Sequence, residues 1–309
     1  MSSIVTLTFS PCIDKSTRVQ AIAPEIKLKC AEPVYEPGGG GINVARAIQK
    51  LHGNATAIYP AGGYNGKRFT RLLGEENVPS VIVDSIHETR ENIIVLDETS
   101  GLQYRFNMPC PPLTAHECNS LLQETAAMNH AKFIVVSGSL PEGISAGLFT
   151  NLAEIAHKNN ARLIADCSGP PLKEAMNNGA WLVKPSLHEL CHLTGHATLE
   201  GEAIEAAAQE IIQGSLCEVM VVSLGSRGAL LVTKNSTARI EPPPVATKST
   251  VGAGDSLVAG IVLSLSKGLD LLTAVMYGVA CGTAATLNPG TQLCNRADAE
   301  KIFAEILTR

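Results

Sequence analysis

One segment of this chain has residue types and an order that can do chemistry: Thr250, Val251, Gly252, Ala253, Gly254 and Asp255 run straight into an apolar stretch from Leu257 to Leu265. The two glycines let the chain turn sharply into a helix, so that the first backbone NH groups point at one spot with the positive end of the helix dipole behind them. Gly252, Ala253 and Gly254 then make an anion hole. Asp255 at the mouth of that helix would stabilise an empty helix end, yet it would repel a bound anion at close range. Phosphoryl transfer turns this conflict to use: the carboxylate takes the proton of a hydroxyl acceptor while the amides absorb charge developing on the transferred group. An ordinary helix start behind a Gly-rich turn is the other reading of these six residues alone.

A second segment, Glu36, Pro37, Gly38, Gly39, Gly40, Gly41, Ile42, Asn43, precedes a helix whose apolar positions Ile42, Ala45, Ile48 and Leu51 follow helical spacing. Four successive glycines cost folding entropy, which points to a ligand lying against bare backbone at Gly39 and Gly40, with the Asn43 amide offered to sugar hydroxyls. The segment is not a Walker loop, because no Gly-Lys-Ser/Thr follows, and Asn43 breaks the dinucleotide spacing G-x-G-x-x-G. Arg90 and Arg105 bracket a predicted hairpin, Asn92 to Leu96 and Leu102 to Phe106, which is expected to bring both cations to one end as forked donors for a substrate phosphate. Asp14, just past the first strand, suits sugar hydroxyls. Ser139 lies in a small polar turn that closes the strand from Phe133, Lys184 follows a strand and can reach a nucleotide phosphate, and Ser223, Gly225 and Gly228 form a turn that permits close backbone approach to a nucleotide.

His188, Glu189, Leu190, Cys191, His192 matches H-E-x-x-H, which on a helix sets two imidazoles on one face for zinc with the Glu as base. The longer metalloprotease pattern needs a third His where Thr198 stands, and Thr194 with Gly195 weakens the helix soon after His192. On the kinase reading Glu189 instead acts through water on Mg2+ near the phosphates.

These residues need a scaffold that collects them. Short apolar runs, Ile4 to Phe9, Ala55 to Tyr59, Phe133 to Val136, Arg162 to Ala165, Trp181 to Val183 and Val219 to Ser223, end in small residues and lead into helical patterns. The prediction is an α/β fold, a doubly wound, mostly parallel sheet, with ligands outside the carboxyl ends of its strands. Residues 13–35 and 90–108 break the pattern and are expected to pair as a small β-sheet lid over a core of 1–12, 36–89 and 109–309. Apolar residues on both faces of that sheet make it a dimer contact as well. A chain of 309 residues, 45% hydrophobic, buries a large core, and its net charge of −5 argues against nucleic acid as a partner. No apolar run approaches the ~20 residues of a membrane span, and the start lacks a signal-peptide n-region. Nine scattered cysteines without a C-x-x-C pair suit reduced thiols, so the expected location is the cytoplasm.

With the glycine run and the Gly-Ala-Gly-Asp helix both in hand, the chain resembles the ribokinase-like (PfkB) family of sugar kinases. The matching stretches, Tyr35 to Ala47, Tyr104 to Pro109, Ser137 to Pro141, Val222 to Leu230, Pro242 to Ser256 and Ala284 to Leu293, span nearly the whole chain. The resemblance implies ATP, Mg2+ and a sugar phosphate as ligands, with Asp255 as catalytic base and Asp14, Gly39, Asn43, Arg90, Arg105 and Ser139 on the sugar phosphate. It places Lys184, Ser223 to Gly228 and the helix Gly278 to Thr286 on ATP, and Ser249, Val251, Ala285, Asn288 and Gly290 around a monovalent cation, K+. Lys27 corresponds to a lid lysine in nucleotide contact. The implied reaction is phosphorylation of fructose 6-phosphate to fructose 1,6-bisphosphate, with 1-phosphofructokinase, tagatose-6-phosphate kinase or a weakly catalytic sugar-phosphate sensor as alternatives. The family's N-x-x-E here reads Ser186, Leu187, His188, Glu189, which trades an amide for a hydroxyl near the nucleotide.

Overall fold

The computed structural model describes residues 3–141, 144 and 147–309. The first half of the chain forms β1 (Ile4–Leu7), β2 (Cys12–Val19), β3 (Val34–Gly38), α1 (Gly40–Lys50), β4 (Thr56–Ala61), α2 (Gly63–Glu75), β5 (Ser80–Asp84), β6 (Arg90–Asp97), β7 (Gln103–Phe106), α3 (Ala115–Ala127) and β8 (Phe133–Ser137). The second half forms α4 (Leu148–Lys158), β9 (Arg162–Asp166), α5 (Pro170–Asn177), β10 (Leu182–Val183), α6 (Leu187–Thr194), α7 (Glu202–Gln213), β11 (Val219–Ser223), β12 (Ala229–Thr233) and β13 (Thr237–Ile240). Three helices close it: α8 (Ala253–Ser266), α9 (Leu271–Thr286) and α10 (Arg296–Leu307).

Among the described residues the large sheet has nine strands in the order β13-β12-β11-β10-β9-β8-β1-β4-β5. From β11 to β5 the strands run parallel; β12 pairs antiparallel with both β11 and β13, so β12 alone runs against the others of this sheet. The buried strands carry side chains into two separate cores. Ile4, Tyr59, Val135 and Val221 pack with α1, α2, α8, α9 and α10, while Val5, Ile58, Ile134 and Val222 pack with the α3 to α7 layer. Both faces are therefore covered, which is why the strands read as continuous apolar runs rather than as alternating ones.

The chain winds away from β1 in both directions, to β4 on one side and β8 on the other, so a crevice opens at the carboxyl ends of β1 and β8. The glycine run fills it. A Cβ on Gly40 would lie 2.4 Å from Ser137 Oγ and 2.5 Å from Gly138 N, and one on Gly41 would lie 2.5 Å from Thr8 Oγ1. Bare backbone at these positions is thus required by the protein's own strand ends, where the sequence suggested a ligand as the cause.

The small sheet is four-stranded, in the order β3-β2-β6-β7. The central pair β2 and β6 is parallel, and the outer pairs are antiparallel. The register corrects one expectation. Arg105 sits opposite Ile94, four residues along β6 from Arg90, so the two arginines share a face but are separated by roughly 13 Å along the strand. They do not meet at one end. Val34, Leu96, Leu102, Tyr104, Phe106 and Met108 are exposed large apolar residues on or beside this sheet. No helix among the described residues is long and apolar enough to cross a membrane, and all nine cysteines are free thiols.

Candidate active site

Helix α8 is positioned by α9. Its N-cap, Gly252, holds φ +72°, a left-handed conformation open to glycine, and no side chain caps the helix. Ala253 N makes a long 3.5 Å bond back to the Thr250 carbonyl, no side chain among the described residues caps the amides that follow, and Asp255 occupies the third helical position rather than the cap. Its carboxylate Oδ2 accepts a hydrogen bond of 2.9 Å from Asn43 Nδ2 in the first turn of α1. The starts of α1 and α8 thereby face each other across the crevice.

Asp255 is only partly shielded from the cleft, yet the protein around it is dense enough to desolvate the carboxylate. Burial, reinforced by the nearby charge of Asp166 and opposed by the Asn43 hydrogen bond and Lys184, pushes its pKa up to about 7. A carboxylate tuned to neutrality is a competent general base for a hydroxyl. Lys184, buried at the end of β10, forms an ion pair of 3.0 Å with Asp166 Oδ1. Burial alone would lower the Lys184 pKa, but the charges of Asp166, Glu189 and Asp255 hold it above the ordinary value, so the ammonium stays charged. Lys184 Nζ lies 3.6 Å from where a Cβ on Gly254 would stand, directly beside the anion hole.

Beside this charged floor lies a cavity of about 460 Å³ lined by Ser223, Gly225, Gly228, the Pro242 to Pro244 wall, Gly254, Gly282 and Thr283. It brings together the predicted nucleotide residues of the β11–β12 turn and of α9, and its size and apolar walls suit a nucleoside. Ser186 is the N-cap of α6, accepting from Glu189 N, while Glu189 Oε2 accepts from Ser186 N at 2.7 Å and from its hydroxyl at 2.9 Å. This reciprocal capping box explains why serine serves at 186: hydroxyl and amide are equivalent caps. It also turns one oxygen of Glu189 inward to its own helix.

On the sugar side, Asp14 is largely enclosed, accepts from Asn92 Nδ2 at 3.0 Å, and has its pKa raised by burial against that hydrogen bond. Arg90 donates from Nη1 to the Met108 carbonyl at 2.9 Å and from Nη2 to the Ser10 carbonyl at 3.2 Å, leaving its buried Nε without a partner among the described residues. Ser139 is exposed beyond β8, and Arg105 is exposed with its Nε on Gln103. Lys27 lies exposed between β2 and β3, and no residue of that connection lines the nucleotide cavity. Of the five predicted cation residues, Ser249 Oγ donates to the Gly290 carbonyl at 2.7 Å and accepts from Val251 N at 3.2 Å, while Asn288 N donates to the Ala285 carbonyl at 3.1 Å at the end of α9. Hard carbonyl and hydroxyl oxygens of this kind fit an alkali cation.

Two groups escaped the sequence reading. Asp166 ends β9 at the position where such strands present ligand residues, and that position was its signal. Arg46, one turn after Asn43 and 1% exposed, is the charge in an otherwise apolar stretch of α1. It binds Glu76 through Nε and Nη2, Glu36 through Nη2, the Pro37 carbonyl at 2.7 Å, and Asn43 Oδ1 at 3.3 Å.

An uncapped helix start, an acid tuned to neutrality and an adjoining nucleoside-sized cavity on a doubly wound sheet define a kinase of small hydroxylated molecules, and the chain belongs to the pfkB family of carbohydrate kinases, whose model matches residues 7–298. It is 45% identical over 305 residues to ATP-dependent 6-phosphofructokinase isozyme 2 of Escherichia coli, covering 98% of this chain and 99% of that protein. Its fold matches crystal structures of phosphofructokinase-2 from Escherichia coli over the whole of both chains. The TM-score is 0.94 at 44% identity for the complex with potassium, and 0.92 at 42% identity for the complex with fructose-6-phosphate.

Proposed function

We propose that this chain transfers the γ-phosphoryl of ATP to the 1-hydroxyl of fructose 6-phosphate, giving fructose 1,6-bisphosphate. The observation that carries the proposal is the placement of Asp255, held by Asn43 at the mouth of α8 with open amides on one side and the nucleotide cavity on the other. Asp255 takes the hydroxyl proton as the oxygen attacks, and the amides of Gly252, Ala253 and Gly254 with the Lys184 ammonium stabilise the charge spreading over the transferred group. Asp14, Gly39, Gly40, Asn43 and Ser139 position the sugar, and Arg90, with Arg105 further along the same face, meets its phosphate. Ser223, Gly225 and Gly228 hold the nucleotide, and Lys27, outside the cavity on the exposed β2–β3 connection, reaches it only on closure of the lid.

The carboxylates of Asp166 and Glu189 beside Lys184 are hard oxygen donors that suit Mg2+, which when bound neutralises phosphate charge. The oxygens of Ser249, Val251, Ala285, Asn288 and Gly290 would hold K+ behind the anion hole. The small sheet, residues 13–35 and 90–108, serves as lid and as homodimer contact through its exposed apolar residues, and reduced thiols are in keeping with a cytoplasmic enzyme. A coupled ADP-release assay across fructose 6-phosphate, fructose 1-phosphate, tagatose 6-phosphate, ribose and fructose tests the reading. The highest kcat/KM belongs to fructose 6-phosphate; a higher value for any other acceptor overturns the substrate, and no ADP release with any acceptor overturns the activity.

A further inference from the structure

The H-E-x-x-H run is left over once the kinase site is assembled. Its glutamate holds the capping box with Ser186 through Oε2 and acts electrostatically on buried Lys184, so it belongs to the phosphate side of α6 rather than to the two exposed histidines. The histidines are free of that box. His188 and His192 project one turn apart from α6 into solvent, and their Nε2 atoms converge to 3.1 Å with the rings nearly perpendicular at 87°.

From this geometry we infer that α6 carries an exterior two-imidazole seat for a transition-metal ion, separate from the phosphate-facing residues. Two metal–nitrogen bonds of about 2.05 Å to atoms 3.1 Å apart subtend roughly 100° at the ion, between the cis angle of square-planar or octahedral coordination and the tetrahedral angle. Both rings can therefore bind one ion from the orientations they already hold. In the metal-free protein one Nε2–H donates to the other Nε2; on binding, that ring shifts its proton to Nδ1 through solvent, both Nε2 lone pairs face the ion, and no net proton is released. Water completes the coordination, because no group of three or more His, Cys, Asp or Glu side chains capable of holding a metal exists among the described residues. His196 is excluded as a third ligand: it follows the left-handed C-cap Gly195 and lines a hollow with Lys173 and Glu210. Cys191 is buried in the core.

The occupant is a borderline or soft divalent ion, with Cu2+ held more tightly than Ni2+ or Zn2+. Mg2+ prefers oxygen and several waters, so catalytic metal does not compete for the seat. Because the chelate exists only while residues 188–192 are helical, occupancy also stabilises the folded chain.

The test uses the untagged full chain, titrated calorimetrically with Ni2+, together with His188→Asn and His192→Asn; both positions are exposed, so folding is retained. One equivalent of Ni2+ binding in the wild type, about 100-fold weaker in each variant, is the expected result, as loss of one arm of a chelate removes its effective concentration. Thermal melts with Ni2+ give a parallel readout, with a rise in Tm in the wild type that is absent from both variants. No binding to the wild type, or unchanged affinity in either variant, overturns the inference. Neither outcome bears on the kinase reading, which the ADP-release assay judges alone.

Discussion

Asn43 donates from Nδ2 to Asp255 Oδ2 across 2.9 Å, tying together the first turns of two helices whose contacting residues lie 212 positions apart in the chain. The bond lowers the cost of the carboxylate's charge, partly offsetting the burial that raises its pKa. In Asp255→Asn the shape and the neighbouring helix amides persist, while the proton acceptor is lost. The expected result is a fall in kcat of about 10³-fold with nucleotide affinity within a few-fold of wild type. Steady-state kinetics beside nucleotide titration checks this, and near-wild-type turnover would remove Asp255 from the role of base.

The raised pKa has two consequences of opposite use. Activity requires the deprotonated acid, so kcat/KM climbs as pH rises and levels off above an apparent pKa near 7. Stability runs the other way. Between the unfolded carboxylate value of about 4 and the folded value of about 7, the native protein binds more protons than the unfolded chain, so this group's contribution is fully present at low pH and is lost as pH rises through 7. Asp255→Asn removes that penalty: at pH 8 its Tm should exceed that of the wild type, and at pH 5 the difference should shrink. A difference in Tm that is flat between pH 5 and pH 8 would show that the carboxylate is not desolvated in the folded protein.

Behind Asn43 stands Arg46, whose guanidinium reaches Asn43 Oδ1 while gripping Glu76, Glu36 and the Pro37 carbonyl. Fixing Oδ1 as an acceptor leaves Nδ2 as the group that faces Asp255. Arg46→Met would strand carboxylates that retain some water, at a cost of about 3 kcal/mol, the low end for breaking a buried pair. Arg46→Lys keeps a charge and loses the fork. Arg46→Lys should therefore recover more of the Tm than of the kcat, and equal recovery of both would reduce Arg46 to a purely structural residue.

How far sequence alone reached this arrangement depended on whether the cause was local. The Gly252 turn and Asp255 are contiguous and feed an apolar helix, so their chemistry could be read directly; the alternation of buried strands with helices likewise announces a doubly wound sheet. The glycine run is visible in the sequence, but one cause of it is not, because the atoms that forbid a side chain at Gly40 and Gly41 belong to Ser137, Gly138 and Thr8, far away in the chain. Asp166 and Arg46 act through partners that only the fold supplies, Lys184 in one case and Glu76 with Glu36 in the other. The pairing of Arg90 with Arg105 failed on register. Where each strand begins relative to its neighbour is decided by sheet packing, and a hairpin with a longer connection does not set it by turn type alone.

That register separates the two arginines in the part each is proposed to play toward the substrate phosphate. Arg90 is anchored by two backbone carbonyls at the base of the lid, on the same face as Asn92 and Asp14, and its buried Nε awaits an acceptor. Arg105, roughly 13 Å farther out, is exposed and bonded through Nε to Gln103. Hydrogen bonds to a charged acceptor are worth about 1.5–3 kcal/mol, so Arg90→Ala should raise KM for fructose 6-phosphate by about 10- to 100-fold while kcat changes little. Arg105→Ala should raise KM less, since an exposed cation at that distance feels the phosphate through solvent. Initial rates over a range of fructose 6-phosphate decide the matter. A larger KM effect from Arg105 than from Arg90 would mean that the phosphate lies toward the outer end of β7, and the sugar would then have to enter the crevice in the reverse orientation, with its 1-hydroxyl away from Asp255.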